Sequence, residues 1–185
     1  SDMIGGHRVV WRYDPILISP TYTPDYHARY FEKIARELSG YTEKCTISFI
    51  DAYAKILKNL RRLNVRTLNG CDKRRMAQRL SQIAACYGLN LETCAEDIDG
   101  MDIPHARCID DRLISRLTGS PIKYDKDKNQ RPACRCVTSV DIGAYNTCLH
   151  GCLYCYANVN VAKARENHKK CDIDSPLLCS RIDPD

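Results

Sequence analysis

No stretch of this chain approaches the ~18 uninterrupted apolar residues that a membrane-spanning helix requires, and its start holds no apolar signal core. A membrane span and a recognisable secretory leader are therefore not expected, and the reading is a soluble, cytoplasmic chain. A concentrated basic stripe is also missing. The net charge of +5 is spread along 185 residues, which permits anionic partners but does not point to nucleic acid. Disorder is disfavoured too, because 44% of residues are hydrophobic and 28% charged. The length suits one ordinary domain, or one with a small appendage.

What the chain has in excess is cysteine. Twelve occur, at positions 45, 71, 86, 94, 108, 134, 136, 148, 152, 155, 171 and 179. Cytosolic thiols stay reduced, so a dense group of them indicates metal more than disulfides. Five of the twelve fall within residues 134–155, which concentrates the expectation there.

The pattern upstream alternates strand and helix. "HRVVWRYDPILI" reads as a strand over residues 8–13 that breaks at Pro15. "TPDYHARYFEKIARELSGY" reads as a helix with Thr23 as cap, Pro24 in the first turn and Gly40 at the stop. Tyr30, Ile34 and Leu38 recur on one face and are expected to be buried. "KCTISFIDAY" is a second strand ending at Asp51, followed by two helices, in "AKILKNLRRLN" and "DKRRMAQRLSQIAACYG". Met76, Leu80, Ile83 and Ala84 are the expected inner face of the second. "LNLETCAED" is a third strand ending near Cys94 and Glu96, and "IDDRLISRLTG" a further helix before Gly119.

This order implies an α/β fold: a partial parallel (β/α) barrel or open sheet of about three β/α units, then an irregular cysteine-rich cluster-binding segment. The expected division is a partial barrel over residues 1–119, a cluster-binding loop over 120–160 and a polar tail over 161–185. Chemistry in such folds lies beyond the carboxyl ends of the strands. Asp14, Asp51 and Glu96 stand there as candidate catalytic groups, although aspartates at such places also serve as caps. Three units do not close a barrel. A preceding segment, a partner chain or a homodimer is therefore expected to complete the sheet.

Past Gly119 no period is sustained, and a long irregular segment needs something to hold it. "NTCLHGCLYCYAN" places Cys148, Cys152 and Cys155 in a C-x₃-C-x₂-C spacing, with Tyr154 before the last thiol. Three thiolates from one loop can cap three corners of a [4Fe–4S] cluster, whereas full cysteine ligation takes four. Either a fourth ligand comes from elsewhere or one iron stays open to a small molecule such as S-adenosylmethionine. Cys94, Cys108, Cys134 and Cys136 are candidates for a second cluster, or one of them for the missing ligand. Lys123 and Arg131 bracket "KYDKDKNQR", which can cradle an anion or balance thiolate-bound iron; as a charge run it equally reads as a solvated loop. Tyr145, Tyr154 and Tyr156 can shield a cluster from water.

Cys148-x₃-Cys152-x₂-Cys155 resembles the cluster motif of radical S-adenosylmethionine enzymes. The wider text, "WRYDPIL", "CTISFID", "ETCAED", "CIDD" and "KDKNQRPACRCVTSVDIGAYNTCLHGCLYCYAN", resembles the bacterial domain-of-unknown-function family 1848 from residue 4 to about 160. That resemblance implies longer relatives with further β/α units in an N-terminal half, and a C-terminal cysteine cluster likened to the radical enzymes. The chain departs from the radical pattern in two ways. The triad follows the strands, and no glycine-rich segment comes after it.

Three readings follow. The first is a radical-type iron–sulfur enzyme that uses S-adenosylmethionine and an external reductant. The second is a non-catalytic iron–sulfur module for electron transfer or stability. The third is a zinc-binding protein with a nucleic-acid or protein partner.

Overall fold

The structure, a computed structural model, describes residues 1–158 and 160–179. It divides into two compact units, the first made of residues 1–50 and 65–139, the second of residues 51–64 and 140–185. The last six positions of the expected polar tail lie outside the described residues.

The first unit is built on a three-stranded parallel sheet in the order β1 (Trp11–Ile16), β2 (Lys44–Phe49), β3 (Asn90–Thr93). Trp11 pairs with Cys45 and Cys45 with Leu91, while Arg12 aligns with Thr46 and Thr46 with Glu92. Successive side chains alternate between faces, so this register sorts the sheet into an apolar face and a polar one. Trp11, Cys45, Ile47, Phe49 and Leu91 enter one core. Arg12, Asp14, Thr46, Ser48 and Glu92 take the other face.

Two helices cover the apolar face. α1 (Pro24–Leu38) is capped by Thr23, whose hydroxyl accepts from Tyr26 N at 3.1 Å, and Pro24 fills the first turn. α2 (Leu57–Arg62) belongs to the second unit. α3 (Gly70–Cys86) starts at Asn69, whose side chain accepts from Asp72 N, and buries Met76, Ala77, Leu80 and Ala84. Ile83 is only partly buried against this core.

Two local readings are corrected by the packing. The first strand runs from Trp11 to Ile16 rather than over residues 8–13, passing through a cis Asp14–Pro15 bond. Proline is tolerated because the ladder with β2 shifts register between Tyr13 and Ile16, and β1 is an edge strand of this sheet. The fully buried face of α1 is His27, Ala28, Phe31 and Ala35; Ile34 and Leu38 pack partly buried at its margin, and only Tyr30 of the expected face turns away. Ala28 and Ala35 let the helix approach closely while Phe31 stacks on Trp11 with ring centroids 4.6 Å apart. Tyr30 is turned outward and packs on Tyr26.

Past β3 the chain adds a further piece of parallel pairing. Thr93 N donates to Pro104 O, Ala106 N donates to Thr93 O, and Thr93 bridges His105 in parallel. A short helix α4 (Asp111–Thr118) follows, capped by Asp110 and closed by Gly119 at φ 69°. Residues 125–138 then fold back as a hairpin in which Asp127 N donates to Cys136 O and Thr138 N to Asp125 O. Val137 N reaches Ile109 O, which ties the hairpin to the segment before α4.

The second unit contains α2, a cysteine-bearing loop and α5 (Val161–His168), which Asn160 caps through Lys163 N. No helix among the described residues is long and apolar enough to cross a membrane.

His27 sets a pH limit on the first unit. Its Nε2 bonds the Leu17 carbonyl at 2.8 Å, so that nitrogen carries the proton, and Nδ1 accepts from the Tyr13 hydroxyl at 2.8 Å. Burial then holds its pKa below the ordinary 6.5, against the opposing pull of the Leu17 carbonyl. The unfolded chain binds this proton more readily, so the contribution is complete above 6.5 and declines as pH falls through that value. An NMR titration of the His27 ring should therefore give a midpoint under 6.5, with urea stability falling over the same range. A midpoint at or above 6.5 contradicts this assignment.

Candidate metal centres

Parallel pairing sends the carboxyl ends of β1, β2 and β3 to one edge of the sheet. Asp14 lies near the end of β1, Ser48 near the end of β2, and Cys94 immediately after β3. Cys108 follows the 104–106 segment that pairs beside β3. Ser48 Oγ donates to Asp14 Oδ1, and Arg12 Nη2 forms an ion pair with Asp14 Oδ2 at 2.5 Å. The same guanidinium donates through Nη1 to Cys108 Sγ at 3.1 Å.

Four thiols gather here. Cys94 Sγ lies 3.8 Å from Cys108 Sγ. Cys108 N donates to Cys136 Sγ at 3.1 Å, and Cys136 N points to Cys134 Sγ at 3.5 Å. Cys94, Cys134 and Cys136 are 9%, 6% and 7% exposed, whereas Cys108 reaches the surface. Cys94 and Cys108 share a proton. The hydrogen bond from Cys108 draws the Cys94 pKa down to about 5, burial opposes it, and Arg12 reinforces it; the Cys108 thiol is raised in turn. Burial likewise raises Cys134. The four residues assigned from sequence to one site are thus neighbours in space.

The remaining sequence-derived candidates fall partly in the first unit and partly in the second. Glu96 is buried past β3, accepting from Phe49 N at 3.2 Å and from Lys73 Nζ at 2.8 Å. Asp51 belongs to the second unit, where Tyr53 donates to its carboxylate at 3.4 Å. Lys123 and Arg131 belong to the first unit and Tyr154 to the second, so these three do not share one compact body. Arg12 and Ser48 were not expected. The signal for Arg12 was the alternation of charged and aromatic residues in Trp11-Arg12-Tyr13-Asp14, which sends Arg12 and Asp14 to one face.

In the second unit the triad sits on a loop tied at its mouth. Asn146 N donates to Ala157 O at 3.1 Å, Asn160 N donates to Asn146 Oδ1 at 3.0 Å, and the Asn158 amide donates to Cys148 O. Asn167 Nδ2 holds Asn146 O from α5 at 2.9 Å. Within the loop Cys155 N donates to Cys152 O at 3.0 Å, and Asn158 N points to Cys155 Sγ at 3.3 Å. Asn59 Nδ2 on α2 grips Leu153 O at 2.9 Å. Tyr53 packs on Tyr156 with centroids 5.7 Å apart, and the Lys55 ammonium lies 5.6 Å from the Tyr145 ring. Cys148 and Cys152 are exposed and Cys155 partly so.

Among the described residues, no three His, Cys, Asp or Glu side chains already close around a single-ion position. The donor chemistry nevertheless fits a soft metal: one thiol-rich group lies in each unit, and backbone N–H groups are aimed at sulfur in both. In the second unit Cys171 Sγ also lies 2.8 Å from Cys179 Sγ, near the end of the described chain.

The fold and these groups define an α/β protein with a three-stranded open parallel sheet, helices on one face and cysteines concentrated in each unit. The family model described as Domain of unknown function (DUF1848) matches residues 1–157, and the chain belongs to that family. No curated protein and no solved structure compared with the chain matches it.

The Glu96–Lys73 pair gives a stability test of the strand-end architecture. Lys73→Met leaves a buried carboxylate without its cation and should destabilise by about 2 kcal/mol, less than a fully buried pair because Lys73 keeps contact with solvent. Adding Glu96→Gln should recover most of the loss in urea denaturation. A double variant as unstable as Lys73→Met alone would show that the pair is not what matters.

Proposed function

We propose that the chain is an iron–sulfur protein in which Cys148, Cys152 and Cys155 hold a [4Fe–4S] cluster and leave one iron without a protein thiolate. The closed 146–158 loop carries this reading: its mouth is fixed by Asn146, Ala157, Asn158 and Asn160, so three thiols are offered from one short segment. Asn158 N, aimed at Cys155 Sγ, is the kind of donor that offsets negative charge on a metal-bound thiolate. Tyr53 and Tyr156 form an aromatic pair in the same unit, Tyr145 and Tyr156 flank the triad in sequence, and Tyr154 lies within it.

The open iron is available to S-adenosylmethionine, as in the radical enzymes that this loop resembles. A bound cluster supplies the electron for reductive cleavage of the sulfonium carbon–sulfur bond. Asp51, in the triad's own unit, is the candidate substrate-facing carboxylate, whereas Asp14 and Glu96 are engaged by Arg12 and Lys73 within the first unit. Tyr154, directly before Cys155 in the same unit, is the candidate cofactor contact, and Lys123 and Arg131 belong to the first unit. The sheet order β1-β2-β3, with α1 and α3 packed on one face, is that of successive units in a (β/α) barrel and supports reading the sheet as part of one. Completion by a further segment, a partner chain or a second copy belongs to the same proposal, as do a cytoplasmic setting and an external reductant.

Anaerobic reconstitution with iron and sulfide tests it. The unaltered chain should turn brown, and Cys148→Ser, Cys152→Ser and Cys155→Ser together should remove the iron held by the triad. Addition of S-adenosylmethionine should alter the reduced cluster's EPR spectrum and, with strong reductant, release 5′-deoxyadenosine. A cluster indifferent to S-adenosylmethionine would make the chain an electron-transfer or structural module. Iron content unchanged by the triple substitution would remove the triad from consideration.

A further inference from the structure

Buried cysteine is often plain core filler, and Cys45 shows what that looks like here. It is fully buried in the apolar cluster between Trp11 and Leu91, and burial pushes its pKa up to about 12. Cys94, Cys108, Cys134 and Cys136 have different surroundings. They lie by the polar side of the sheet, where a guanidinium and two backbone N–H groups are directed at their sulfurs. A neutral thiol is a weak acceptor, and three donors converging on one sulfur group suit thiolate charge.

We propose that these four cysteines form a closed four-thiolate centre for a soft metal, either zinc or an iron–sulfur core, distinct from the triad. The sulfurs come from three stretches of chain that lack long regular structure: the end of β3, the segment before α4 and the 125–138 hairpin. A metal there cross-links pieces that otherwise hold together by few backbone bonds. The 3.8 Å between Cys94 and Cys108 sulfurs matches the edge of a tetrahedron with metal–sulfur bonds of about 2.3 Å. Cys136 is linked to this pair by the bond from Cys108 N and Cys134 by that from Cys136 N, on a hairpin anchored by Val137 N to Ile109 O. The sulfurs do not yet close around one ion position, so the proposal requires metal to bring them together. Four thiolates fill a tetrahedral ion or cap every iron of a cuboidal core, so this centre is structural or electron-carrying and offers no position to substrate. Arg12, held by Asp14, supplies the compensating charge.

The centre does not depend on the triad and is tested without it. A chain carrying Cys148→Ser, Cys152→Ser and Cys155→Ser is prepared anaerobically and loaded with Zn²⁺ alone or with Fe²⁺ and sulfide. It should retain one zinc or one iron–sulfur core per chain, elemental analysis separating the two, and further Cys134→Ser and Cys136→Ser substitutions should abolish it. In the unaltered chain, iodoacetamide with mass spectrometry should find Cys94, Cys108, Cys134 and Cys136 protected together and released together by chelator. Cys71, exposed on α3, should react throughout. No metal in the triad-free chain, or four thiols that alkylate at the same rate with and without metal, overturns the proposal.

Discussion

Parallel pairing of the three strands is the constraint on which the rest of the first unit depends. Once Trp11, Cys45 and Leu91 share a level in the sheet, Phe31 of α1 and Leu80 of α3 can pack on one side of it. The same register sends Arg12, Thr46 and Glu92 to the other side. A one-residue slip would exchange the faces. Lys44 and Glu92 pair at 3.1 Å, and Thr46 and Ser48 are buried although polar. Polar groups are tolerated out of water only when they find partners, and on this face Ser48 finds Asp14 while Asp14 also holds Arg12. Arg12 reaches onward to sulfur. The thiol group is therefore connected to the sheet through charge as well as through chain connectivity.

Much of this was legible in the sequence, and the reasons are local. Thr23-Pro24 announces a helix start because a hydroxyl cap and a proline both suit positions whose N–H groups have no helical partner. For α4 the sequence offers Asp110 or Asp111 at the start and Gly119 at the stop; the structure selects Asp110 as the cap and gives Gly119 a left-handed backbone. The order of elements fixed a parallel sheet because crossover connections leave little choice. The grouping of Cys94, Cys108, Cys134 and Cys136 followed from position at strand ends and in the adjoining loop. Their contacts in space are a tertiary outcome that spacing alone does not encode.

What sequence could not show was rotation and register. The face of α1 centres on small Ala28 and Ala35 beside Phe31, with Ile34 and Leu38 at its margin, while amphipathic Tyr30 gives up its ring to a surface stack. Periodicity counts apolar residues and does not weigh how closely a backbone can approach. Pro15 gave a strong breaker signal, yet an edge strand with a shifted ladder has no bond for it to lose. The pairing of residues 104–106 beside β3, and the 125–138 hairpin, were invisible for another reason. Their polar sequence resembles loop, and their order comes from backbone bonds to elements remote in sequence.

The two thiol groups differ in a way that bears on chemistry more than their shared residue type does. In the second unit three cysteines lie on one tied loop, so the spacing of the donors is set by covalent geometry and a few backbone bonds. Such a loop can meet three corners of a core but leaves the fourth to something else. In the first unit the four donors come from separate stretches, so their meeting reports on tertiary folding. Metal affinity at a site assembled that way is folding free energy of the segments it joins. On the proposal that both groups bind metal, three donors from one loop leave room for an outside ligand, whereas four donors from three segments would tie those segments together and serve stability or electron storage.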